Sequence, residues 1–148
     1  NRAIIPTIIT QLLNKNKSIK LGSLYPTRDF TYVKDTVQGF ISIASSKKSI
    51  GETINIGSGY EISIGDLYTL IESIIKSDMK FKQEKSRVRP KEGEVNRLRA
   101  DNKKAKRILS WSPDYSGKNG LKKALRETIA WFSDRDNLKL YKSNFYNT

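Results

Sequence analysis

Arginines set among loop prolines and glycines are the residues of this chain best suited to chemistry. Arg2, Arg28, Arg87 and Arg89 stand in loops or at strand edges, and Glu92 and Glu94 follow the last two. A guanidinium donates two parallel hydrogen bonds from a rigid fork, which matches the oxygens of a phosphate. A carboxylate close to such a pair accepts hydrogen bonds from hydroxyls and so suits a ribose diol. For Arg87 the plainer reading, a solvated surface cation, is favoured. Arg28 differs, because its neighbours Asp29, Phe30 and Tyr32 read as buried.

What is missing narrows the chemistry further. The chain has no cysteine and no histidine, which removes disulfides, thiolate or imidazole metal sites and imidazole acid–base catalysis. Triads and dyads of the usual kinds cannot be built. Gly57-Ser58-Gly59 is followed by Ile62 where a dinucleotide fingerprint needs glycine, so it reads as a turn. No Gly-x-x-x-x-Gly-Lys phosphate loop occurs, and no tyrosine is followed four residues later by lysine. No catalytic residue and no metal ligand is therefore assigned.

The elements that must carry these side chains follow from spacing. Arg28 opens the stretch Arg28-Asp29-Phe30-Thr31-Tyr32-Val33-Lys34-Asp35, in which Phe30, Tyr32 and Val33 favour a strand and Pro26 a turn before it. Asp35 is placed to cap a helix over 36–46, with Val37, Phe40, Ile41 and Ala44 on one face. Upstream, 3–15 reads as a helix with Pro6 in its first turn, and 18–22 as a short strand. Downstream, 52–57 alternates as a strand, and Ser63 with Asp66 resembles a capping box before the stripe Leu67, Leu70, Ile71, Ile74 and Ile75. Residues 79–83 and 95–100 read as strands and 86–94 as a loop. Asp101 is placed to cap a short helix, 117–120 reads as a turn, and Leu121, Leu125, Ile129 and Phe132 stripe a last helix. From 134 onward the chain reads as a polar, loosely docked tail. Alternating strands and helices predict an α/β class, or α+β for the piece by itself, with about five helices.

At 148 residues, 36% hydrophobic and 29% charged, this is one soluble domain with a real core. No apolar run approaches the roughly 20 residues of a membrane helix, and no signal peptide opens the chain, so a cytoplasmic address and no membrane partner are expected. The net charge of +13 makes a polyanion partner conceivable. The lysines are scattered, however, and no helix-turn-helix, zinc-finger or RNA-recognition signature is present. A nucleic-acid-binding module is the disfavoured alternative.

Taken together, 22–35, 51–59 and 89–111 resemble the C-terminal half of an extended short-chain dehydrogenase/reductase, within a similarity running from Arg2-Ala3-Ile4-Ile5-Pro6 to Trp131-Phe132. The sequence is most similar to NAD-dependent nucleotide-sugar 4,6-dehydratases, those acting on N-acetylglucosamine nucleotides in legionaminic acid pathways and the GDP-mannose 4,6-dehydratases. The resemblance implies the C-terminal part of a Rossmann-type fold over 1–133, with 36–59 completing the dinucleotide-binding domain and 134–148 as a tail. It implies Arg28, Arg89 and Arg2 at the substrate diphosphate, Glu94 at the ribose, and backbone around Leu21 and Gly22 in the base pocket. Arg89 and Glu94 lie five positions apart where some relatives have three, which leaves Lys91 as a competitor for the phosphate. It further implies NAD or NADP in a full-length enzyme, with the glycine-rich turn and the Tyr–Lys pair upstream of this chain. A homodimer would form through that upstream half. By itself the chain is expected to hold no cofactor and to turn nothing over, with faces meant for the upstream half exposed. The expected function is the substrate-binding portion of a 4,6-dehydratase of surface sugar biosynthesis; a 4-epimerase is the alternative.

Overall fold

A computed structural model describes residues 3–16, 18–88, 90 and 93–141. The chain divides into two compact units, one built from Asn1–Pro26, Ser63–Asn96 and Leu125–Thr148, the other from Thr27–Ile62 and Arg97–Ala124.

In the first unit, helix α1 (Ile4–Leu13) buries Ile8, Ile9 and Leu12 as its spacing predicts. It also buries Thr7, Thr10 and Gln11, so the helix is covered on more than one face. Those polar groups are satisfied. Thr7 and Thr10 donate to carbonyls one turn back, and the Gln11 amide bridges to strand β1 (Ile19–Leu21), accepting from Lys20 N at 2.9 Å and donating to Lys20 O at 3.3 Å. Strand β1 pairs in parallel with strand β4 (Phe81–Gln83), with Leu21 opposite Gln83. Helix α3 (Ile64–Ile75) packs against α1 and buries Leu67, Leu70 and Ile71. Ser63 caps α3 as predicted, accepting from Asp66 N at 3.0 Å, but its hydroxyl donates to the Asp66 carboxylate instead of leaving that acid to reach backbone. Leu125, Ile129 and Phe132, the C-terminal end of α5 (Gly117–Ser133), complete the buried apolar set.

The second unit centres on strand β2 (Thr27–Asp29), the middle of a three-stranded sheet between β3 (Glu61–Ser63) and β5 (Arg97–Leu98). β2 runs parallel to β5, with Thr27 opposite Arg97 and Arg28 opposite Leu98. Helix α2 (Val33–Ala44) follows almost at once, and α4 (Lys103–Leu109) and the first turns of α5 come after β5.

Several expectations need correction. The strand at Arg28 ends at Asp29, and Phe30 to Tyr32 lead directly into α2. Tyr32 occupies the N-cap, and Asp35 lies inside the first turn, buried at 3% exposure. Its carboxylate accepts from Asp114 N at 2.9 Å and Tyr115 N at 3.1 Å, so it caps a distant loop and not its own helix. The apolar stripe of α2 is exposed, Val37 at 47%, Phe40 at 66% and Ile41 at 52%, while Asp35 and Gly39 are its buried residues. Residues 53–56 form no strand among the described residues, since an alternating pattern makes a strand only where a partner supplies the ladder.

Residues 117–120 are not a separate turn but the start of α5. Gly120 is there because Tyr115 lies against it: a Cβ would sit 2.3 Å from the Tyr115 carbonyl carbon. Asp101 accepts from Lys103 N, but the residue at the N-cap of α4 is Asn102. Residues 135–139 form a sixth helix, α6 (Arg135–Lys139), whose N-cap Asp134 accepts from Asp136 N and Asn137 N. A carboxylate at that position satisfies orphan amides of the first turn, which polar composition alone had disguised as tail.

Candidate functional site

Arg28 occupies the middle position of β2, between Thr27, which is bonded to a carboxylate, and Asp29, which carries one. Successive strand side chains alternate between faces, so Thr27 and Asp29 share one face and Arg28 takes the other. Thr27 Oγ1 donates to Glu61 Oε2 at 2.7 Å, and Arg97 forms an ion pair with the same carboxylate. The Arg97 hydrogen bond, with that of Thr27 second, holds the Glu61 carboxyl down at about 2. Glu61 is thus an anion throughout the ordinary pH range.

Asp29 is the more connected of the two acids. Its Oδ1 accepts from Ser58 N at 3.0 Å and from the Ser58 hydroxyl, while Oδ2 accepts from Gly59 N at 2.8 Å and Ala100 N at 3.1 Å. Asn102 Nδ2 adds a bond to Gly57 O at 3.1 Å, and Ser116 Oγ donates to Ser58 O at 2.7 Å. Gly57 has no side chain because the Ala100 methyl stands where its Cβ would go, 2.3 Å away. The 57–59 turn therefore does not fit a pyrophosphate. Its amides already donate to a carboxylate, which would repel an anion placed there.

Arg28 itself is half-buried, and its Nη1 donates to Thr27 O at 2.8 Å. That bond folds the guanidinium back along its own strand. Neither Asp29 nor Glu61 was singled out for function from sequence. The one available signal was an acid directly following an arginine in a strand-forming run; the partners lie 29 to 71 positions away, beyond any local pattern.

In the first unit, Leu21 is buried and its carbonyl accepts from Glu84 N at 2.9 Å. Gly22 meets the 3-10 turn Lys85–Arg87 so closely that a Cβ would lie 2.3 Å from the Arg87 carbonyl oxygen. The Arg87 side chain is only 10% exposed and is paired with Glu84, whose carboxyl Arg87 first and Lys20 second hold below its usual range. Arg87 is consequently not the solvated surface cation that its sequence context suggests. The acid three residues before it supplies the partner, and the glycine opposite supplies the room. Glu94 is half-buried in the same unit. Arg2 and Arg89, together with Lys91, lie outside the described residues.

Among the described residues no group of acids is arranged to hold a metal ion, and no helix is long and apolar enough to cross a membrane.

A mixed α/β chain with Rossmann-type relatives and an arginine in the middle strand of a small sheet defines a class that comparison with known proteins makes specific. The family model for GDP-mannose 4,6 dehydratase matches residues 1–124. The chain belongs to this family, within the nucleotide-sugar epimerases and dehydratases of the extended short-chain dehydrogenase/reductase superfamily. It is 34% identical over 131 residues to the UDP-glucuronate 4-epimerase of Thermodesulfobacterium geofontis, covering 87% of this chain and 37% of that protein. It is 31% identical over 150 aligned positions to the dTDP-D-glucose 4,6-dehydratase of Homo sapiens, covering 97% and 38% respectively. Among solved structures, the UDP-glucuronic acid 4-epimerase of Bacillus cereus, in complex with UDP-glucuronic acid and NAD, superposes with a TM-score of 0.72 at 30% identity. That match covers 94% of this chain and 40% of the other. The chain thus spans less than two fifths of the length of the curated relatives, 37% of one and 38% of the other.

Proposed function

We propose that this chain is the substrate-binding portion of an NAD- or NADP-dependent nucleotide-sugar 4,6-dehydratase, acting in the cytoplasm in surface polysaccharide biosynthesis. The observation that carries the reading is Arg28, at the centre of β2 between Thr27, bonded to the Glu61 carboxylate, and Asp29, whose carboxylate accepts backbone amides, in a chain of this family. A cation so fixed loses little freedom when it grips a phosphate, and the bond it makes is charge-assisted. Arg28 is assigned to the substrate diphosphate, with Arg89 and Arg2 as further cations for the same group. Glu94 is assigned to the ribose hydroxyls, and the backbone at Leu21 and Gly22 to the nucleotide base.

NAD(P) belongs to the whole protein; the 57–59 turn does not fit its pyrophosphate, and no step through it is assigned to these residues. The whole protein is read as a homodimer. A 4-epimerase is the second reading, favoured by the 34% identity to a UDP-glucuronate 4-epimerase. Product analysis of the protein as its gene encodes it, with UDP- and GDP-hexoses as substrates, separates the two. Loss of water marks the dehydratase, and inversion at C4 the epimerase.

Binding tests the site directly. Arg28→Ala should weaken nucleotide-sugar binding by about 1.5–3 kcal/mol, or roughly tenfold to a hundredfold, as removal of a charge-assisted bond does. Titration calorimetry reads the change, and an unaltered Kd rejects the assignment of Arg28.

A further inference from the structure

We infer that Asp29 is a positioning residue for Arg28: its carboxylate fixes the place from which the neighbouring guanidinium meets a diphosphate. The inference rests on the reading of Arg28 given above. Asp29 takes up the amides of Ser58, Gly59 and Ala100 and the hydroxyl of Ser58, all with one side chain. These donors come from two separate stretches, the 57–59 turn and the residues just after β5, and a single carboxylate joins both to the end of β2. An uncharged residue cannot match this. An Asn in its place keeps one acceptor oxygen but turns an NH2 group towards amides that are themselves donors.

Arg28 is the preceding residue of the strand and lies on the opposite face from Asp29, its Nη1 donating to Thr27 O at 2.8 Å. Its backbone is therefore held between Asp29 on one side and Thr27, bonded to Glu61, on the other. For a rigid fork reading two phosphate oxygens, a displacement of about 1 Å is costly, so the place of the backbone counts. The same carboxylate takes up the donors of the Gly57-Ser58-Gly59 turn, which are committed to holding the strand.

The test is a double-mutant cycle in the protein as its gene encodes it, with UDP, GDP and dTDP as probes and Kd read by calorimetry. The tightest-binding of the three serves for the variants. Asp29→Asn is expected to weaken binding by about threefold to tenfold, in keeping with a lost hydrogen-bond network rather than a lost phosphate contact. In the Arg28→Ala background the same substitution should have no further effect, because the group it positions is gone. Ile71→Val, a core change in the other unit, lowers stability and should leave Kd as in the parent; this separates positioning from general loosening. If Asp29→Asn does not fold, Ser58→Ala removes one donor to the carboxylate and should show a smaller loss with the same dependence on Arg28.

A Kd unchanged by Asp29→Asn, or a loss that simply adds to that of Arg28→Ala, overturns the inference and leaves the reading of Arg28 intact. A parent protein that binds none of the three nucleotides, or an Arg28→Ala variant that binds as tightly as the parent, overturns the reading and the inference with it.

Discussion

Glu61 is the acid whose charge state carries the clearest consequence. Its carboxyl is held at about 2, down from an ordinary 4.5, chiefly by the Arg97 hydrogen bond. A depressed carboxylate contributes stability that is complete above its unfolded pKa and is lost as the pH falls towards the folded one. The chain should therefore lose part of its stability between about pH 4.5 and about pH 2. Glu61→Gln removes that contribution, so urea midpoints measured across this window should fall less steeply for the variant than for the parent. Equal slopes would mean that the Arg97 pair is not maintained in solution. A second residue-scale test concerns Gly120. Gly→Ala inside a helix ordinarily stabilises by about 1 kcal/mol. Here the new methyl would meet the Tyr115 carbonyl carbon at 2.3 Å and its oxygen at 2.6 Å. Gly120→Ala should instead destabilise by about 1–3 kcal/mol, measured by denaturant unfolding.

Helix α2 shows how an element can carry one pattern and be held by another. Its apolar residues Val37, Phe40 and Ile41 are exposed, whereas its buried anchor is a charged one, Asp35. The anchor is tolerable because both carboxylate oxygens accept backbone amides, those of Asp114 and Tyr115. Tyr115 also packs against Tyr32 at the helix start, with ring centroids 4.6 Å apart and the rings tilted by 51°. Two substitutions in this helix should consequently rank against hydrophobicity. Asp35→Ala leaves the buried Tyr115 amide and the part-buried Asp114 amide without this acceptor and should cost about 1–3 kcal/mol. Phe40→Ser, at a position 66% exposed, should change the stability of this chain by no more than about 0.5 kcal/mol. Thermal unfolding of the two variants checks the order; a large loss for Phe40→Ser would show that its ring is covered in solution.

At the scale of the molecule, the +13 charge is the property that most invites a second function. The carboxylates that pair with Arg97, Arg87, Lys20 and Lys104 are already counted in that net figure, so the excess of cations stands beyond these pairs. Glu52 is held below its usual range first by the Lys104 hydrogen bond and then by the Lys104 charge. Binding to nucleic acid would need cations that track a backbone and would fall steeply with salt. Filter binding at low salt should retain neither DNA nor RNA. Retention that disappears as salt is raised would instead favour the nucleic-acid reading. A nucleotide that binds only the folded protein should raise its Tm, so a thermal-shift panel of UDP- and GDP-sugars is the complementary measurement.

The chain's own periodicity determined α1, α3 and the stripe of α5, where Ile8, Leu67 and Leu125 lie on the faces that spacing assigns to them. Local chemistry likewise marked the Ser63 cap, because its partner is three residues away. The resemblance carried by the Arg28-Asp29-Phe30 stretch pointed to the family that comparison establishes. Tertiary structure alone decided that Asp29 gathers the 57–59 turn and Ala100, that Asp35 serves a loop 79 and 80 positions on, and that Arg87 is largely covered and paired with Glu84. It also left 53–56 without a ladder and the stripe of α2 in the open. The physical reason is one of range. A repeat of apolar residues specifies which face of an element wants cover, but hydrogen-bond partners and covering surfaces come from elsewhere in the chain, and no local window contains them.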